Sequence, residues 1–226
     1  MKKYLLIAWV ILLSCNICQA QDGPLKLKDA VRNAYAAQHV YGVRSMNDGE
    51  HYTQLSSDNR KVVVSSFKTG KEVATLFDVN DIKKGPKLHY ISDYILSPDE
   101  RNILIQTQTE YIYRRSFTAV YYIYNIANKT LEPLSDGGPQ QAAKFSPDGN
   151  VVGFVRDGNL FLVKLLYGNA ETQVTKDGKF NEVINGIPDW VYEEEFTMNK
   201  CYEFSADSKM IAYVKSVESH VPSFSF

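Results

Sequence analysis

Cysteine is scarce in this chain: three in 226 residues, at positions 15, 18 and 201. Two of them fall in the N-terminal leader identified below, so only Cys201 remains. One cysteine cannot close an internal disulfide, which excludes the disulfide-stapled class of small domains, and its apolar neighbours predict a buried thiol. Histidine is equally thin. His39, His51, His89 and His220 stand apart from one another, none at metal-ligand spacing to a second His, Asp or Glu, and there is no His-Glu-x-x-His. No metal and no cofactor are therefore expected. A Gly-x-Ser-x-Gly elbow is missing as well, so no hydrolase nucleophile can be placed and no catalytic residue is expected within these residues. Clustered basic residues are also missing, which argues against a nucleic-acid partner. Stretches with a 3.6-residue apolar period are few, which argues against a helical fold.

The one sustained apolar run opens the chain. Lys2 and Lys3 precede Tyr4 to Leu13, and Cys18-Gln19-Ala20 supplies small residues for cleavage. The run is shorter than the roughly twenty residues a membrane span needs. Residues 1–20 thus read as an export signal, placing the mature chain in the periplasm or outside the cell. Leu12-Leu-Ser-Cys15 also resembles a lipoprotein signal, which leaves lipidation of Cys15 as an alternative to cleavage near Gln21. Loss of the leader removes two lysines and leaves 23 basic against 26 acidic residues, a net charge of −3. Aromatics at 12% and hydrophobics at 44% suffice for a sizeable core. Residues 21–45 read as an N-terminal segment with a short helix within Leu25 to Val40, where apolar residues recur at helical spacing.

From residue 46 onward a repeated phrase organises the chain. It consists of an apolar residue, Ser, Pro or Ala, Asp and a turn residue, followed by an apolar run. The copies begin at Leu96-Ser-Pro-Asp-Glu100, Phe145-Ser-Pro-Asp-Gly149 and Phe204-Ser-Ala-Asp-Ser208, with a looser one at Met46-Asn-Asp-Gly49. Pro presets φ, Asp bonds its own backbone and Gly takes the left-handed angle, so each phrase is a tight turn between strands. Further strands are predicted at Tyr121 to Ile126 and Asn159 to Lys164. The three clear serines lie 49 and 59 residues apart, the period of a four-stranded propeller blade. The prediction is an all-β chain, a partial β-propeller of about four blades of four-stranded antiparallel sheet over 46–226, preferred to a β-sandwich. Four blades make half a ring with an open edge, so the chain reads as the N-terminal piece of a larger protein.

Two charged clusters stand out. In Asp189-Trp-Val-Tyr-Glu-Glu-Glu-Phe196, three adjacent carboxylates would destabilise one another unless a cation intervenes. Neighbours on a helical turn diverge by about 100°, so two of them can converge on one small cation. The apolar stem Trp190-Val-Tyr192 speaks against a freely solvated loop. The alternative is an acidic surface turn. In Tyr113-Arg-Arg-Ser-Phe-Thr118, two basic residues interrupt a tyrosine-rich strand region, and an arginine there can hold a carbonyl or carboxylate with its planar fork of donors. The alternative is an arginine stem laid over aromatic surface.

The segment 189–195 resembles the propeller glutamate motif of the dipeptidyl peptidase IV family of serine exopeptidases. Tyr113 to Ala119 followed by Tyr122-Ile-Tyr-Asn125 resembles that family's arginine segment, and His89 to Asp99 is similar to the phrase before it. The resemblance implies an eight-bladed propeller capping an α/β-hydrolase domain that removes dipeptides, with Pro or Ala second, from peptide N-termini. It implies that Glu194 and Glu195 bind the substrate's free ammonium and that Arg114 binds the dipeptide carbonyl. Trp190 and Tyr192 would position the glutamates, and Glu193 and Arg115 would be neighbours rather than ligands. The family's Ser, Asp and His belong to the hydrolase domain, absent from this chain, which alone is expected to be inactive. The implied partners are peptide N-termini, that hydrolase domain and, for the full-length enzyme, a second copy as homodimer. The competing reading is a propeller fragment that binds peptides or a protein partner without catalysis.

Overall fold

The computed structural model describes residues 26–32 and 41–222, in two compact units, Met1–Val40 and Tyr41–Phe226. The leader lies outside the described residues. In the first unit the expected helix is the single turn α1, Leu27–Val31.

The second unit is a partial β-propeller built of consecutive antiparallel sheets. The first sheet takes its strands in chain order: β1 (Arg44–Ser45), β2 (His51–Leu55), β3 (Lys61–Ser66) and β4 (Glu72–Asp78). The second is β5 (Asp93–Leu96), β6 (Asn102–Tyr111), β7 (Phe117–Asn125) and β8 (Thr130–Pro133). The third is β9 (Gln141–Phe145), β10 (Val151–Arg156), β11 (Asn159–Lys164) and β12 (Ala170–Gln173). The remaining elements are β13 (Val183–Asn185), α2 (Trp190–Phe196), β14 (Tyr202–Phe204), β15 (Ile211–Tyr213) and β16 (Lys215–Val217).

The repeated phrase makes the turns, and its serine is the hub. The hydroxyls of Ser97, Ser146 and Ser205 donate to Asp99, Asp148 and Asp207 at 2.6, 2.6 and 2.7 Å. Each hydroxyl also accepts the amide five residues on, from Asn102, Val151 and Met210, at 2.9 to 3.0 Å. A further turn of this chemistry, at Ser56 with Asp58 and Lys61, joins β2 to β3 and escaped the sequence reading. Glycine holds the left-handed position at Gly149 (φ 73°) and, in the looser copy, at Gly49 (φ 71°); Asn59, Glu100 and Ser208 hold it at 56 to 58° in the others. Successive turns also touch. Asn47 donates its backbone amide to Glu100 and its side-chain amide to the Pro98 carbonyl, and Asp148 N–H donates to Ser208 Oγ.

Blade faces are packed on both sides. Along β6, Ile103 and Ile105 face a cluster with Val62 and Phe77 of the first sheet, while Leu104 faces Phe145, Val152 and Phe154 of the third. Period-2 alternation with both faces buried reads as a continuous apolar run, which is why Asn102-Ile-Leu-Ile-Gln106 has no polar face.

The fourth blade departs from four regular strands. β13 pairs with β16 and β14 with β15, as two short ribbons. The ribbons meet where Gly186 N–H donates to Val214 O, Val214 N–H to Cys201 O and Cys201 N–H to Gly186 O, at 2.8 to 3.0 Å. Since N–H and C=O of one strand residue point the same way, β13 and β14 lie on the same side of the strand running through Val214. They form one strand, interrupted, and residues 187–200 are extruded at the break. Cys201 is buried at this junction, as expected.

Candidate functional site

The extruded segment folds into α2. Asp189, in extended backbone (φ −71°, ψ 175°), caps it by accepting Tyr192 N–H at 2.8 Å, and Thr197 closes it in the left-handed region at φ 58°. Asp at the N-cap satisfies an amide that the helix itself leaves unpaired. The helix thus places Glu193, Glu194 and Glu195 at successive 100° steps.

Opposite α2 is the tip of the β6–β7 hairpin. These strands, ten and nine residues long, are the longest of the second unit and carry the turn 112–116 toward the helix. Arg114 and Arg115 therefore sit in the loop that interrupts the tyrosine-rich strand region. Arg114 Nη1 lies 3.4 Å from Glu194 Oε2, joining the two motifs singled out by sequence. The Arg114 side chain is 72% exposed and that of Glu194 only 16%, so the arginine keeps donors free for a second acceptor. Glu195 is exposed and, among the described residues, has no hydrogen-bond or ion-pair partner.

Glu193 is the buried member, 2% exposed. Its Oε1 accepts Arg115 N–H at 2.7 Å and Ser116 N–H at 2.8 Å. Burial pushes this carboxyl up, but hydrogen bonds from Ser116 and Arg115 outweigh it and hold the group below the usual 4.5. The apolar stem is less enclosed than the sequence suggested, with Trp190, Val191 and Tyr192 each about half exposed. The Tyr192 ring packs on Phe196, centroids 5.2 Å apart, rather than on a glutamate. Trp190 and Glu193 line a cavity of about 630 Å³ shared with Ile112, Tyr113, Phe180 and Arg156. Arg114, Glu194 and Glu195 do not border it. Arg114 and Glu194 meet between hairpin and helix, beside rather than inside that cavity. Nothing local marked Glu193 out from its neighbours in sequence; its role follows from the face of α2 that meets residues 115 and 116.

Among the described residues no group of three or more His, Cys, Asp or Glu could hold a metal. An exposed carboxylate beside a half-buried, arginine-paired one is suited to a small organic cation whose neighbour is a hydrogen-bond acceptor for Arg114.

Comparisons with known proteins show what the chain as a whole is similar to. The family model described as dipeptidyl peptidase IV (DPP IV) N-terminal region matches residues 97–226. A probable dipeptidyl-aminopeptidase B of Chaetomium globosum is 34% identical over 214 residues, covering 91% of this chain and 21% of the relative. Human prolyl endopeptidase FAP is 28% identical over 223 residues, covering 96% of this chain and 28% of the relative. Among solved structures, the crystal structure of Porphyromonas gingivalis dipeptidyl peptidase 4 matches with a TM-score of 0.79 at 40% identity, covering 89% of this chain and 29% of that one. The chain therefore spans about a fifth to a quarter of the length of the curated relatives it matches.

Proposed function

This chain belongs to the family of dipeptidyl peptidase IV N-terminal regions, and from that premise we propose that it is the substrate-recognising part of an exported serine exopeptidase. That enzyme removes N-terminal dipeptides whose second residue is Pro or Ala. Export requires a mature N-terminus near Gln21 or at a lipidated Cys15, and a polypeptide that still begins at Met1 would overturn it. Glu194 and Glu195 bind the peptide's terminal ammonium and Arg114 its first carbonyl, while the nucleophile and its partners come from a hydrolase domain outside these residues. The observation that carries this reading is the 3.4 Å approach of Arg114 to Glu194, which unites an anionic and a cationic clamp from distant parts of the chain.

The physics of the clamp explains exopeptidase length selection. Carboxylates held at one distance from a nucleophile measure the substrate from its charged end. A peptide with a blocked N-terminus leaves them without a counter-cation, and sites built around a charge reject ligands that lack it. The test is turnover of dipeptide anilides by the full-length polypeptide. Glu194→Ala and Glu195→Ala should each lower kcat/KM about 30-fold or more, since removing one member of a close charged contact costs about 2 kcal/mol or more. An N-acetylated anilide should resist cleavage. Wild-type rates in both variants, or equal cleavage of the blocked substrate, would sink the assignment of these residues, and no turnover by the full-length polypeptide would leave binding without catalysis.

A further inference from the structure

Three identical residues in a row occupy three different environments, and the buried one has no part in the clamp just described. Glu193 points into the hairpin. Its single oxygen Oε1 gathers two consecutive amides, at 2.7 and 2.8 Å, from the residues immediately after Arg114. A carboxylate accepting two N–H groups makes charge-assisted bonds, about twice as strong as neutral ones. A charge this deeply buried is retained only where such partners hold it.

The hairpin tip has little else to fix it against the helix. Within the turn, Ile112 and Tyr113 amides reach Ser116 O at 2.9 and 3.4 Å, which shapes the loop but does not orient it. Arg114 itself, largely exposed, has Glu194 as its ion-pair partner. Besides that exposed pair, the hydrogen bonds from helix to tip among the described residues run through Glu193.

We propose that Glu193 is a positioning residue, a strut whose two backbone bonds set the distance between the ammonium-binding pair and Arg114. This rests on the reading of the site as a dipeptide clamp and extends it: the span between the substrate's ammonium and its first carbonyl is held by a residue that touches neither. In Glu193→Ala the tip is released, Arg114 loses its register with Glu194 and Glu195, and the substrate's scissile bond is no longer presented correctly. A displacement of about 1 Å of this kind costs about a hundredfold in rate. Asp, one methylene shorter, falls short of the two amides and should behave as Ala does. Gln keeps an oxygen acceptor without the charge and should restore most of the loss.

The experiment is a double-mutant comparison in the full-length peptidase, with amide exchange as a readout independent of activity. Glu193→Ala and Arg114→Ala should lower kcat/KM to similar extents, and the double variant should be no worse than the poorer single by more than about twofold, because both remove the same element. Exchange at the amides of residues 115 and 116 should accelerate in Glu193→Ala and stay slow in Arg114→Ala. Losses that multiply in the double variant overturn the strut, as does unchanged exchange at residues 115 and 116. Should Glu193→Ala fail to fold, Glu193→Gln carries the same comparison with a smaller expected loss. Wild-type activity in Glu194→Ala and Glu195→Ala, with exchange at residues 115 and 116 still accelerated in Glu193→Ala, would overturn the clamp reading itself while leaving the mechanical link in place.

Discussion

Glu193, Glu194 and Glu195 are chemically identical, and their environments divide them. One is buried on two amides, one is paired with Arg114 and one is open to solvent. Composition and spacing signal that a cation belongs near this run, but which carboxylate is the anchor depends on where the helix is docked, and that is decided by residues far away in sequence. The pH behaviour of Glu193 follows from its surroundings. Its folded-state carboxyl titrates below the usual 4.5, so it adds stability in full above that value and loses it as pH falls through the depressed folded one. Glu193→Gln should therefore lower Tm at neutral pH, with the gap to the parent protein closing as pH drops below about 4.5. A scan of Tm against pH for both proteins measures this, and a constant gap down to pH 3 would contradict it.

At the scale of elements, the repeated turns were the clearest text in the sequence. Ser, Asp and a left-handed residue at fixed offsets depend on local bonds alone, and a pattern written locally can be read locally. The serine hydroxyl, more than proline or glycine, closes each turn, and the turn at Ser56, which has neither proline nor glycine, carries a weak sequence signal. Ser146 is fully buried, and its hydroxyl serves both Asp148 and Val151 N–H. Ser146→Ala leaves that amide unpaired and should cost about 1–3 kcal/mol, measured as a shift in urea midpoint without a change in slope. Less legible were the elements that break the repeat. Tyrosines around Arg114 mark a strand region interrupted there, but the register shift between Thr107 and Glu110 and the length of the hairpin that carries the loop leave no such mark. The split of the fourth blade was equally hidden, since the three-way junction of Gly186, Cys201 and Val214 joins backbone groups and leaves no mark on side-chain pattern.

For the molecule as a whole, stability resides between sheets. The clusters around Ile103 and around Leu104 lie on opposite faces of the same strand, so the second blade is bonded to each neighbour through a separate core. Leu104→Ala should cost about 2–5 kcal/mol and weaken the contact with the third sheet while leaving the cluster of Val62 and Phe77 packed. Chemical denaturation gives the size of the loss, and amide exchange mapped by blade gives its place. An effect spread evenly over both clusters would argue against this division. The number of blades was legible because the serine period counts them; their fourth member was not, because its inserted helix has no counterpart in the other three.

Arg114 comes from the second blade and Glu194 from the fourth, and the whole of the third stands between their anchoring strands without contributing either group. Its seat against the second is apolar, with Leu104 packed among Phe145, Val152 and Phe154. The two charged motifs thus rest on separate layers, and a repacking of the layer between them shifts their footings without altering a residue of either.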